Sequence, residues 1–321
     1  MTPAATELCR LFGLEAPIFQ AGMGWVTTGR LAAAVSAAGG LGVIATGGYM
    51  ASDELRGHIA RVRDEAPDKP FGVNLLLPGG APEQGTMASF DLTRIALDVC
   101  IEERVPVVLS GLGDPRPVLP EIHAAGLRFV AVVGSLKAAR AVAEAGADAV
   151  IVQGNEAGGH VGPAGTLTLA QLAVRALAAP VLVAGGIATG EAVQAALALG
   201  AAGVSVGTRF LASEESDAHP RYKQAVVDAD ERSTVVTRAC TGKPSRALRT
   251  AFVQSWDGRE DEIQPYPDQA FDHFWRARAG AIEGDFEEGF LPMGQCAALV
   301  DEVLPAATIV ERLAAAAAVA A

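Results

Sequence analysis

Of five histidines, one stands where a proton could be moved. His160 closes the glycine-rich turn Gln153-Gly154-Asn155-Glu156-Ala157-Gly158-Gly159-His160, directly after the apolar run Ala149 to Gln153. An imidazole accepts a proton near neutral pH without strong tuning, which suits abstraction beside an electron-withdrawing group. Two further turns are built from small residues, Ala184-Gly185-Gly186-Ile187 and Val206-Gly207-Thr208-Arg209, and each also follows an apolar run. Without a Cβ the backbone can approach an anion closely, and N–H groups near a helix start donate to it. Ala184, Gly185, Gly186, Gly207 and Thr208 are therefore expected around a phosphate. Gly294 and Gln295, ahead of the last helical segment, carry amides that could face the same anion.

The stretch Gln20-Ala21-Gly22-Met23-Gly24 is small enough for a flat ring to lie against its backbone, with Met23 adding a polarizable contact. Asn74, near the end of one apolar run, and Gln153, closing another, carry amides that both donate and accept, as the edge of a heterocycle requires. Tight turns alone would account for the glycines, and capping for Asn74. Gly158 and Gly159 belong to the histidine turn itself. His58 and His123 fall in helical stretches, and His219 and His273 lie far downstream. No metal-ligand spacing joins the five, so no metal site is expected.

Such residues need a frame that brings the ends of several apolar runs together. Eight short runs recur from Pro17 onward: Ile18 to Gln20, Leu41 to Ala45, Phe71 to Leu76, Val107 to Leu109, Phe129 to Val133, Ala149 to Gln153, Val181 to Ala184 and Gly203 to Val206. Between them lie segments of helical period, among them Gly29 to Ala38, Asp53 to Glu65, Leu136 to Ala145, Leu169 to Ala178 and Glu191 to Leu199. Continuous apolar strands with helical crossovers predict parallel pairing with both faces covered. Eight units favour a TIM (β/α)8 barrel over an open doubly wound sheet. The nearest match to a dinucleotide fingerprint, Gly22-Met23-Gly24, lacks the third glycine. In a barrel, function belongs at the carboxyl ends of the strands, where every candidate above except Gly294 and Gln295 falls.

The rhythm stops near Phe210. Residues 1–212 read as the barrel, 213–292 as an inserted, mainly helical lid, and 293–321 as a terminal helix returning to the barrel, interrupted by Pro305, with an alanine tail expected to fray. A net charge of −12 argues against a nucleic-acid partner. The uncharged stretch Leu31 to Ser52 is punctuated by five glycines and is not expected to span a membrane. Glu7, Arg10 and Glu15 interrupt any leader-like apolar run, so a cytoplasmic protein is expected. Cys9, Cys100, Cys240 and Cys296 are far apart, which predicts neither disulfides nor a zinc site.

Taken together, these segments resemble the nitronate monooxygenase (2-nitropropane dioxygenase) family of FMN-dependent barrels. The resemblance rests on Pro17-Ile18-Phe19-Gln20-Ala21-Gly22-Met23, Ala37-Ala38-Gly39-Gly40-Leu41-Gly42, Phe71-Gly72-Val73-Asn74, Glu156-Ala157-Gly158-Gly159-His160, Ala184-Gly185-Gly186-Ile187 and Gly207-Thr208-Arg209-Phe210. Thr241-Gly242-Lys243-Pro244 and Met293-Gly294-Gln295 also fit, whereas Asp257 to Gly289 matches loosely. The resemblance implies FMN with its phosphate at Gly185, Gly186, Gly207 and Thr208. It places the ring near Ala21 to Gly24, Asn74 and Gln153, and makes His160 the base that removes the α-proton of a nitroalkane. Oxygen would be the co-substrate, and a carbonyl compound and nitrite the products. Flavin enoyl-acyl-carrier-protein reductases and NADH:quinone reductases share these loops. The stretch Glu215-Ser216-Asp217-Ala218-His219-Pro220 with Tyr222-Lys223 resembles that branch, which implies NAD(P)H as an alternative electron donor. A barrel that binds a phosphorylated ligand without turnover is the non-enzymatic alternative.

Overall fold

The structure, a computed structural model, describes residues 6–77 and 87–317. Its strands are β1 (Ile18–Gln20), β2 (Gly42–Ala45), β3 (Phe71–Leu75), β4 (Val107–Ser110), β5 (Arg128–Val133), β6 (Ala149–Gln153), β7 (Gly159–His160), β8 (Val181–Ala184), β9 (Gly203–Val206), β10 (Thr234–Thr237) and β11 (Ser245–Leu248). Eight of them pair in parallel in the order β1-β9-β8-β6-β5-β4-β3-β2. The ring closes where Phe19 bridges Leu41: Gln20 N donates to Leu41 O and Leu41 N donates to Ile18 O, both at 2.9 Å. The eight expected strands are all present, and their ends lie within one residue of the apolar runs. The fold is a (β/α)8 barrel.

Alternation along each strand divides the barrel's apolar residues into an inner and an outer set. Phe19, Leu41, Leu109, Val130, Ile151 and Leu182 form one buried cluster together with Leu8 and Phe12 of the helix Glu7–Phe12. Phe12 meets Phe19 edge to face, with ring centroids 5.4 Å apart, so the amino-terminal helix plugs one end of the barrel. The other strand faces pack on the surrounding helices in two larger clusters. Side-chain caps start two of these helices: Ser135 accepts from Ala138 N ahead of Leu136–Glu144, and Thr189 accepts from Ala192 N ahead of Gly190–Ala198. The helix expected over Leu169 to Ala178 runs instead over Thr166–Ala176, because Glu156 reaches across to accept from Thr166 N at 2.7 Å. That starting bond is non-local, so periodicity alone could not locate it.

Past β9 the chain leaves the barrel rhythm. Helices Pro220–Val227, Ala251–Gln254, Asp268–His273 and Trp275–Arg278 follow, but so do β10 and β11, which a mainly helical reading did not foresee. These two strands pair antiparallel with each other and, through β11, with β7, forming a three-stranded sheet that holds the histidine turn. The last helix, Ala306–Ala317, packs on Gly190–Ala198 and Gly29–Ala37. The fraying expected of the final alanines concerns residues 318–321, outside the described residues. Among the described residues, no helix is long and apolar enough to cross a membrane, and all four cysteines are free and buried.

Candidate active site

A cavity of about 320 Å³ lies at the carboxyl ends of the barrel strands, within the range of sites that hold a small ligand or cofactor. Ala21, Gly22, Met23, Gly24, Asn74, Gln153, Gly158, Gly159, His160, Ala184, Gly185, Gly186, Gly207 and Thr208 all line it. The turn after β1 is pinned by Thr27, whose hydroxyl donates to Met23 O and accepts from Met23 N, both at 2.9 Å. A Cβ on Gly22 would lie 2.7 Å from Asn74 Cβ, so only glycine lets the β1 and β3 turns touch. Gly185 and Gly186 have φ of 97° and 77°, a region side chains rarely adopt. A Cβ on Gly207 would stand 3.5 Å from Met23 Sδ and 3.6 Å from Ala21 Cβ, in the gap between the β9 and β1 turns. This is a backbone-lined cradle that a side chain would fill, and it fits an anionic tail.

Gly294 and Gln295 do not join that cradle, contrary to expectation. Gly294 N donates to Thr208 Oγ1 and Gln295 N to Glu156 O, each at 2.9 Å. Their amides are spent tying the carboxyl-terminal segment to the β9 turn and the histidine turn. Gln153 is also partly committed, since Nε2 donates to His160 O at 2.6 Å. Glu156, the carboxylate nearest in sequence to the histidine, accepts from both Thr166 N and Thr166 Oγ1 and serves that helix start.

His160 is set against the inserted segment. It pairs with Ser245 across β7 and β11, Val161 N donates to Pro244 O at 3.0 Å, and its Nε2 lies 2.8 Å from Thr241 Oγ1. One residue beyond Ser245, the buried guanidinium of Arg246 donates to Asn155 O (2.8 Å), Asn155 Oδ1 (2.9 Å) and Thr234 Oγ1 (3.1 Å), clamping the turn that carries the histidine. Desolvation, assisted by the Lys243 ammonium, pushes the imidazole down from 6.5 to about 4. The ring is therefore strongly tuned, against the expectation that it would need little tuning, and it is neutral throughout the physiological range.

The other histidines have local partners. His123 faces Asp148 at 3.1 Å, His219 accepts from Arg221 N at 3.2 Å, His273 accepts from Arg276 Nε at 3.3 Å, and His58 lies 3.9 Å from Glu54. Among the described residues, no group of His, Cys, Asp or Glu could hold a metal ion.

Several lining residues were not legible as such. Thr241, Ser245, Phe274 and Phe290 reach the cavity from the insertion, and Cys296 from the segment after it. Burial pushes the Cys296 thiol up to about 11, with the Thr208 hydroxyl and Gly186 amide opposing this, so a neutral sulfur flanks the cradle. Tyr222 is no proton donor, since burial raises its hydroxyl and the O–H already donates to Pro292 O at 2.5 Å. At the rim, Trp25 stacks on Tyr49 with centroids 4.2 Å apart and leans on Phe274 at 5.1 Å, joining the β1 turn to the insertion. Of these, Thr241 had a signal as part of the Thr241-Gly242-Lys243-Pro244 motif, and Tyr222 as part of Tyr222-Lys223.

A model of the nitronate monooxygenase family matches residues 5–316. A FabK from Thermotoga maritima superposes with a TM-score of 0.87 at 44% identity, over 97% of this chain and 95% of that one. A nitroalkane oxidase from Streptomyces ansochromogenes does so with a TM-score of 0.84 at 36% identity, over 98% of each chain. An octahydro-indene carboxyl-CoA dehydrogenase from Rhodococcus jostii is 39% identical over 79% of this chain and 69% of its own length.

Proposed function

This chain belongs to the nitronate monooxygenase family of flavin-dependent oxidoreductases, and from that premise we propose that it binds FMN and oxidises alkyl nitronates and nitroalkanes with oxygen, giving a carbonyl compound and nitrite. Bound FMN would supply the redox chemistry that links substrate to oxygen. The chain supplies the rest. Gly185, Gly186, Gly207 and Thr208 hold the phosphate with backbone N–H groups. Ala21, Gly22, Met23, Gly24, Asn74, Gln153, Gly158, Gly159 and Ala184 line the space for the ring. Residues 213–292 act as the lid, and Phe274 and Phe290 shield the substrate from water. His160 takes the α-proton of a neutral nitroalkane. With a nitronate already formed, it orients the anion.

The observation that carries this reading is the place of His160: its imidazole lines the cavity at the carboxyl ends of the strands, together with the β8 and β9 turns, and among the described residues no carboxylate is bonded to its ring. Burial keeps the ring in the unprotonated form that a base requires, although the lowered pKa also weakens its pull on a proton. The likeness to the Thermotoga maritima FabK supports a second reading, an NAD(P)H-dependent flavin reductase acting on an enoyl thioester or a quinone.

One comparison separates the two. Purified protein should be yellow and release FMN on denaturation. With a nitronate it should consume oxygen, and NADH or NADPH without oxygen should leave the flavin oxidised. Rapid anaerobic bleaching by a nicotinamide, with no oxygen uptake on nitronate, would establish the reductase instead. A colourless protein that binds only phosphate would support the non-catalytic barrel.

A further inference from the structure

Among the described residues, the imidazole of His160 has one hydrogen-bond partner, Thr241 Oγ1 at 2.8 Å, contributed from 81 residues along the chain. Both ends of this contact ride on the same small sheet. Thr241 sits in the turn between β10 and β11, and Ser245, which opens β11, pairs with His160 itself. The turn cannot relax easily. Thr241 is buried, and Gly242 has φ 77° with its α-carbon so close to the next segment that a Cβ would lie 2.5 Å from Gln264 O.

We propose that Thr241 is the positioning residue of His160: its hydroxyl oxygen accepts the Nε2–H and so fixes the ring in the tautomer whose Nδ1 lone pair is free for the substrate's proton. The proposal rests on the base role given to His160 above. A neutral imidazole has one N–H and one lone pair. Were Thr241 to donate to Nε2, the only lone pair would be spent on the hydroxyl and the ring could not act as a base. As an acceptor the oxygen has room, because it takes the Lys243 N–H at 3.4 Å on one lone pair and keeps the second for Nε2. On proton transfer the substrate C–H bond breaks, its electron pair stays with the nitronate, and the proton forms a new bond to Nδ1. Nε2–H remains on Thr241 throughout.

A neutral oxygen orients the ring while raising its basicity far less than a carboxylate would. The charged groups on adjoining elements agree with this. Lys243 lowers the ring's basicity. Glu156 is engaged by Thr166, and Arg246 by Asn155 and Thr234. Thr241 thus fixes geometry while leaving the imidazole unprotonated.

The test uses flavin-loaded wild type, Thr241→Val and Thr241→Ser, with melting and flavin content confirming the fold. Thr241→Val should lower kcat/KM for a neutral nitroalkane by about tenfold or more, with a smaller loss on the matching nitronate, since only the former needs a base. Thr241→Ser should restore most of the difference. Equal losses on both substrates, or no rescue by serine, would reduce Thr241 to a packing residue. The ring's 15N NMR signals in the wild-type holoenzyme decide the assignment without turnover. A protonated Nε2 supports it and a protonated Nδ1 overturns it. Should wild type turn over neither nitro compound, the proposed function fails, and the tautomer still stands or falls on the NMR result.

Discussion

The two sides of the cleft are built by different means. On the β8 and β9 side, backbone sets the shape: glycines at positive φ and a side-chain-free gap beside Met23 make an open cradle, the one proposed above for the phosphate. On the His160 side, shape comes from pairing between distant segments: β7 on β11, Arg246 on Asn155, Thr241 on the imidazole. The first side needs only the barrel itself, and the second is assembled only when residues 234–248 fold back onto the turn after β6. Cofactor retention should therefore depend on the first side, and proton transfer on the second.

The largest expected effect is on the second side. His160→Asn should lower turnover of a neutral nitroalkane by about 10²-fold or more while flavin stays bound, the range associated with a lost general base. Steady-state oxygen uptake checks it, and undiminished turnover removes His160 from that role.

Next comes Arg246→Met, which strips Asn155 of both charge-assisted bonds in a buried place. A loss of roughly 3 kcal/mol in unfolding free energy is expected, read by denaturant titration. A change below about 0.5 kcal/mol, typical of an exposed site, would mean that the clamp is dispensable.

On the first side, Gly185→Ala should cost about 1–3 kcal/mol from its backbone conformation alone. The new Cβ would also sit 2.9 Å from Thr166 Oγ1. Gly207→Val is gentler on the fold, because a Cβ there meets only ordinary contacts, yet its methyls enter the cradle. Flavin affinity should drop about tenfold or more with little change in melting of the flavin-free protein. Full occupancy at ordinary affinity would put the phosphate elsewhere.

How much was legible in the sequence follows the same division. The eight strands were readable because each is a short apolar run closed by small or polar residues, and the cradle glycines because their turns follow those runs. The histidine turn was found for the same reason. What resisted reading was non-local. Glu156 shifts the start of the helix Thr166–Ala176 from ten residues away, and Gly294 and Gln295 spend amides that looked free. Strands β10 and β11 have mixed exposure and no clean alternation, with Val236 exposed and Arg246 buried, so neither period announced them. Depth, not composition, sets the basicity of His160, and depth appears only once the insertion is in place.

The most direct test of the account is the pH dependence of kcat/KM for a neutral nitroalkane, measured by oxygen uptake below the pH at which the substrate itself ionises. The profile reports the free enzyme's essential base, which must be neutral to work. Because His160 is lowered from 6.5 to about 4, its active form persists as pH falls through the neutral range and is lost only as pH passes through about 4. The account predicts a rate that is level down to about pH 5 and falls below it, with His160→Asn low and flat across the range. A break near 6.5, the ordinary value, or a profile unchanged in His160→Asn would contradict it.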